Sequence, residues 1–243
     1  MVKRHLKRLS APRTWMLKRK EHVWTVKPKP GPHSQDKSYP LLLIVRDMLG
    51  YAKNSREAKR ILNEGNILIN GKVRKDAKFP VGLMDILQIP KTKENFLVVF
   101  DKNRKISLLK IKKKETKKRL CKIENKCLVR GGHVQLGLHD GTNYLIKNSP
   151  DKPVKDIYKT KDTILIDLEK GSISGHIPFK KGNLALIIGG SHMGEVAKIE
   201  EIRVMKSSRA NVVVLSSDSK KFQTIDEYVF MIGEKEPLIS EVF

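Results

Sequence analysis

The chain has 243 residues, with 50 Lys or Arg against 26 Asp or Glu and a formal charge of +24 at pH 7. Apolar residues make up 39%, enough for cores, so disorder is excluded as a description of the whole chain. Apolar runs reach five residues, as in Leu41–Val45 and Leu184–Ile188, far short of the about 20 that a spanning helix needs.

The start, Met1-Val2-Lys3-Arg4-His5, is basic but leads into no apolar stretch, so no secretory signal is expected. Two cysteines, Cys121 and Cys127, make no disulfide framework, which points to an intracellular chain. Such a surplus of positive charge repels itself unless a polyanion neutralises it. No long basic amphipathic helix suggests a membrane surface, so nucleic acid leads over a lipid or an acidic protein.

Residues 1–40 hold 11 basic and 2 acidic side chains. They carry Pro12, Pro28, Pro30, Pro32 and Pro40 and little helical or strand period. Proline lacks the N–H and turns its predecessor away from helix, so Lys27–Pro32 should be extended. This reads as a basic arm that orders against a partner, with Lys7, Arg8, Arg13, Lys18, Arg19 and Lys20 as phosphate contacts. Trp15 and Trp24 lie in it. Each either anchors the arm to a neighbouring domain or stacks on bases or sugars.

Residues 41–105 hold 14 basic and 7 acidic side chains. Leu42, Val45, Leu49 and Ala52 have the spacing of one helical face. Asn54, with Glu57 three residues on, predicts a capped second helix running to about Glu64. Gly65 fits the stop. Ala58, Ile61 and Leu62 would face inward, and Arg56, Lys59 and Arg60 outward. Asn70-Gly71 between Ile67–Ile69 and Lys72–Arg74 is a hairpin signal. Lys53, Lys72, Arg74 and Lys75 add charge beside the helix. The face either meets RNA phosphates or is merely solvated.

Ser55-Arg56, Ala58, Gly65, Ile67, Ile69 and Asn70-Gly71 resemble the RNA-binding domain named after bacterial small-subunit ribosomal protein four. That domain also occurs in pseudouridine synthases and some tRNA synthetases. The resemblance therefore implies RNA and leaves the task open.

Residues 106–177, with 16 basic and 8 acidic side chains, read as strands and tight turns at Arg130-Gly131-Gly132, His139-Asp140-Gly141 and Lys170-Gly171. Thr163–Leu168 is an expected strand, and the whole is expected to form a small barrel-like β domain. Lys112–Arg119 gives a basic edge that either protects a strand or meets RNA. Cys121, Cys127, His133 and His139 stand six apart. Structural zinc sites pair their ligands more closely, so no metal is assigned.

Residues 178–243 hold 9 basic and 9 acidic side chains, a different kind of surface. Strands are expected at Leu184–Ile188, Val196–Ile202, Val212–Leu215 and Tyr228–Gly233, with a helical turn near Thr224–Glu227. The strand–glycine loop–strand unit resembles a KOW motif, which implies backbone approach to RNA at Gly189, Gly190, Ser191 and His192. Where that pattern has a basic residue, Glu195 stands.

The order of parts, the opening His5-Leu6-Lys7-Arg8 through Pro12 to Trp15, and Phe222–Ile225 followed by Glu227–Phe230 resemble small-subunit ribosomal protein four of the archaeal and eukaryotic type. The short C-terminus favours an archaeal source. The implied fold class is α+β and multidomain: arm 1–40, helix–hairpin RNA-binding domain 41–105, β-rich central domain 106–177, and a KOW-type small β-barrel with tail, 178–243. The implied role is non-catalytic, in the cytoplasmic small ribosomal subunit. Its partners would be 16S-type rRNA and neighbouring ribosomal proteins, with no membrane, cofactor or small-molecule substrate. Two rivals are an RNA-modifying enzyme and a free KOW-bearing factor. The sequence carries no P-loop, His-Glu-x-x-His or Gly-Arg-Leu-Asp-like run for the enzyme. The basic arm favours stable assembly over transient association.

Overall fold

The apolar run that begins at Leu41 folds as helix. Leu41–Leu43 form α1, and Ile44–Met48 continue it as a π-helical turn. Leu42 and Val45 are buried and Leu49, the C-cap, is half-buried, as their spacing predicts; Ala52 is buried too but lies beyond the helix end, not on its face. All of Leu41–Val45 is buried, so α1 sits inside the fold rather than on its surface. The computed structural model describes residues 5–148, 157–217 and 220–238. Two units divide the chain, Met1–Arg119 and Leu120–Phe243. Their boundary falls inside the span 106–177 that the sequence reads as one domain.

In the first unit, helix α2 spans Ser55–Asn63. Asn54 Oδ1 accepts the backbone N–H of Arg56 and of Glu57, both at 2.9 Å. Glu57 reaches back, accepting from Lys53 N at 2.8 Å. Donors that the first turn leaves orphaned are thus satisfied by side chains. Gly65, at φ +77°, ends the helix in the left-handed conformation that glycine adopts at little cost.

The strands of this unit are short: β1 (Leu6–Lys7), β2 (Trp24–Thr25), β3 (Ser38–Pro40), β4 (Leu68–Ile69), β5 (Lys72–Val73), β6 (Pro80–Gly82), β7 (Ile86–Ile89), β8 (Glu94–Phe100) and β9 (Ile106–Lys110). β1 pairs with β2 and β3 with β6. The others form an antiparallel sheet in the order β5-β4-β7-β8-β9. Asn70 and Gly71 turn the β4–β5 hairpin with φ +51° and +76°, as a two-residue turn of primed type requires.

Residues 5–40 are tied into this unit by their own polar groups, not left to await a partner. Trp15 is 1% exposed and donates its indole N–H to Ser38 O at 2.6 Å. Arg19 forks onto the carbonyls of Ala11 and Pro12, each at 2.7 Å, and reaches that of Leu9 at 3.2 Å. Lys29 N donates to Lys78 O at 2.9 Å.

The second unit carries β10 (Lys118–Val129), which starts just before its boundary, then β11 (His133–Leu138), β12 (Asn143–Ile146), β13 (Thr163–Asp167) and β14 (Ile173–Ile177). They form a sheet in the order β12-β11-β10-β13-β14. Its core is Cys121, Ile123, Val134, Leu136, Leu138 and Ile164. A second antiparallel sheet has the order β18-β17-β16-β15-β19, from β15 (Leu184–Ile187), β16 (Val196–Arg203), β17 (Val212–Ser217), β18 (Lys220–Ile225) and β19 (Val229–Gly233). A 3₁₀ turn at Asp226–Tyr228 leads into β19.

Strand β18 has no expectation behind it, because Lys220–Ile225 buries no residue and shows no apolar alternation. The lysine-rich run 112–119 is not one edge strand. Glu115–Lys117 form a 3₁₀ turn, and Arg119 is buried.

Candidate nucleic-acid interface

Helix α2 presents the candidate interface. Ala58 and Leu62 are buried and fix which side faces inward. Lys53, Arg56, Lys59 and Arg60 are exposed. Arg60 has one carboxylate beside it, Glu64 at 3.5 Å, in a solvent-exposed i,i+4 pair. Such a pair is worth little, so Arg60 is available to a stronger anion. Glu57 faces the helix start, held by Lys53 N and Asn54 Nδ2.

The hairpin extends this surface. Lys72 and Lys75 are exposed. A Cβ on Gly65 would stand 3.7 Å from Lys75 Cε, which places Lys75 at the end of α2. Lys91 joins that end through Glu64, at 3.2 Å; no motif in the sequence signals it. Glu64 is held below the usual carboxylate range by hydrogen bonds from Asn66 and Lys91. Arg74 is half-buried, its guanidinium 4.6 Å from the centre of the Phe79 ring, so packing claims it first.

The arm residues divide. Lys7, Arg13, Lys18 and Lys20 are exposed; Lys18 pairs with Glu21 at 3.0 Å. Arg8 and Trp15 are corrections. Arg8 is 6% exposed and donates to Lys18 O at 2.8 Å; Trp15 has no free face for a base. Arg19 is spent on carbonyls and acts as an internal clamp rather than a phosphate contact. Charge counting cannot separate these from their exposed neighbours, because their partners are backbone carbonyls that only the folded path of the arm brings to them.

The loop between β15 and β16 differs from its expectation at two of four residues. A Cβ on Gly189 would stand 2.6 Å from the Tyr228 ring, so this glycine serves a close internal contact. His192 stacks on Phe222, centroids 4.1 Å apart, and Nδ1 lies 3.2 Å from Glu195 Oε2. Gly190 and Ser191 are exposed, Gly190 at φ +82°.

The Cys and His residues spaced six apart do not gather. Cys121 is in the core, Cys127 is exposed, His133 accepts from Asn148 N, and His139 packs edge-on against Phe230. Among the described residues no group of three or more His, Cys, Asp or Glu is placed to hold a metal ion.

Family models match three stretches: an RS4NT (NUC023) domain over residues 2–36, an S4 domain over 41–87, and ribosomal family S4e over 92–173. The small ribosomal subunit protein eS4 of Methanococcus vannielii is 52% identical over 98% of this chain and 97% of its own length. The protein of that name from Methanocaldococcus jannaschii is 50% identical over the same shares. This chain belongs to the S4e family of ribosomal proteins. The crystal structure of 30S ribosomal protein S4e from Thermoplasma acidophilum matches with a TM-score of 0.69 and 32% identity, covering 82% of this chain and 96% of that one. These S4e relatives are named as ribosomal proteins, not as enzymes. Helix α2 and the Asn70-Gly71 hairpin lie within the S4 domain match, so the α2 face belongs to the RNA-binding module of S4e.

Proposed function

We propose that the protein is a structural constituent of the small ribosomal subunit, working in the cytoplasm with 16S-type rRNA and neighbouring ribosomal proteins as its partners. The observation that carries this is α2: a capped helix in an S4 domain, fixed inward by Ala58 and Leu62, with Lys53, Arg56, Lys59 and Arg60 outward. The mechanism is electrostatic clamping. Exposed cations of α2, the β4–β5 hairpin and the arm neutralise phosphates, and the fold sets their spacing, so shape and backbone are read rather than base sequence.

In this reading the arm (1–40) and the helix–hairpin domain (41–105) supply most contacts. A KOW-type unit in 178–243 adds Gly190 and Ser191 as the places where RNA approaches backbone. The neutral charge balance of residues 178–243 suits a surface shared with other ribosomal proteins. Sedimentation of a native lysate tests the assignment. One copy per small subunit, retained through moderate salt, is the expected result. A protein mostly free at the top of the gradient overturns it.

A further inference from the structure

Trp24 is the tryptophan that the fold does not use. Its partner in composition, Trp15, is 1% exposed with its N–H satisfied; Trp24 is 58% exposed. That exposure leaves a ring face open to a partner, and covering it would be favourable. The ring is not loose. Trp24 lies in β2, register-paired with Lys7, and the His5 ring tilts against it at 5.7 Å. The strand pairing places the residue, and His5 packs against one side of the ring.

The ring stands at the wall of a groove of about 460 Å³ that runs to α2. Lys27, Lys29, Lys59 and Lys78 line this groove against one carboxylate, Asp76. Lys29 Nζ holds Asp76 Oδ2 at 2.6 Å, and burial of Asp76 is outweighed, so its carboxyl stays below the usual range and ionised. Lys59 and Lys78 stand in the same lining to meet a ligand's phosphates. Lys59 belongs to both surfaces: it stands on the outward face of α2 and lines the groove. An aromatic face beside cations is the pairing that binds a nucleotide by base and phosphate together.

We propose that this groove holds an unpaired rRNA nucleotide, its base stacked on Trp24 and its phosphates against Lys59 and Lys78. The proposal rests on the rRNA-binding reading above and adds that the arm's contribution is stacking on single-stranded RNA, not charge alone. Stacking is tolerant of base identity, since every base has a π face. A duplex keeps its bases in the stack and cannot offer one to Trp24. Val23, 64% exposed, also adjoins the ring in sequence, so an apolar protein contact is the competing use.

The test uses the full chain and its indole fluorescence, with Trp24→Phe assigning the signal. A short single-stranded oligoribonucleotide should quench Trp24; a duplex of the same sequence, at matched occupancy and salt, should not. Trp24→Ala should weaken single-strand affinity about ten- to a hundredfold and leave its salt dependence unchanged, because no charge is removed. Trp24→Phe should keep most of the affinity and Trp24→Leu should not. Equal quenching by duplex, or wild-type affinity in Trp24→Ala, overturns the proposal. If full-length small-subunit rRNA still binds the Trp24→Ala variant as it binds wild type, only stacking fails and the rRNA reading stands. If the wild-type chain binds neither RNA, both fail, and the Trp24–Val23 patch is a protein contact.

Discussion

Asp85 Oδ1 lies 2.8 Å from Arg119 Nη2, and both side chains are buried. Asp85 also accepts from Asn70 Nδ2, from Gly82 N and, at Oδ2, from His33 at 3.0 Å. One carboxylate thus joins, within the first unit, the end of the arm, the β4–β5 turn and Arg119 at the unit's last position. Burial drives this carboxyl up, but the Arg119 guanidinium and the hydrogen bonds from His33 and Gly82 outweigh it, holding Asp85 well below the usual carboxylate range.

A group whose folded value is depressed contributes stability above its unfolded value, near pH 4, and that stability is lost as pH falls further. Asp85→Asn should therefore lower stability at pH 7 by about 3–5 kcal/mol, since it takes a buried counter-charge from beside Arg119. Its deficit should shrink at pH 3. Denaturant midpoints at both pH values read this. Adding Arg119→Met should restore part of the loss, because the buried charge that faced Asp85 goes with it. Equal midpoints for wild type and Asp85→Asn would mean the network is not a structural tie.

Arg19→Lys separates the arm's internal clamp from its exposed charges. An ammonium cannot fork onto carbonyls as Arg19 does, so stability should fall by about 1–2 kcal/mol with net charge unchanged. Lys20→Ala should leave stability alone and flatten the salt dependence of rRNA binding. The opposite pattern would return Arg19 to the RNA surface.

Gly189→Ala should cost about 1–3 kcal/mol, because its Cβ meets the Tyr228 ring. In a Tyr228→Ala background the same change should cost little. If Gly189→Ala instead leaves thermal unfolding at wild type and weakens RNA binding, the glycine serves a ligand and not the ring.

Asn54→Ala should destabilise the first unit by about 1 kcal/mol, and Asn54→Gly by a few tenths. Thermal melts check this, and identical values for the two variants would deny the cap.

The region from Asn54 to Gly71 was legible because its signals are local. A cap, a left-handed glycine and a two-residue turn are each decided by neighbours in sequence. Ile86–Ile89 and Leu97–Phe100 were not read as strands, since burial on both faces erases the alternation that marks one. Within the arm, the same residue types take opposite roles. Trp15 is buried and Trp24 exposed; Arg19 is clamped and Lys20 free to solvent. What separates each pair is a set of backbone carbonyls brought in by tertiary packing, which composition and spacing do not encode. The site was legible where helix period fixes a face, at Arg56, Lys59 and Arg60, and illegible where the groove joins Lys27 and Lys78 to α2.

The central claim is that the α2 face meets rRNA phosphates. Binding of small-subunit rRNA measured against salt, for wild type and for the combined Arg56→Ala, Lys59→Ala and Arg60→Ala variant, tests it most directly. Each phosphate contact contributes about 0.7–0.9 to the slope of log affinity on log salt. The slope should flatten by about 2 to 3, affinity should fall at low salt, and the unfolding midpoint should stay near wild type. A variant with the wild-type slope and affinity would show that face to be solvated, and the account would be wrong.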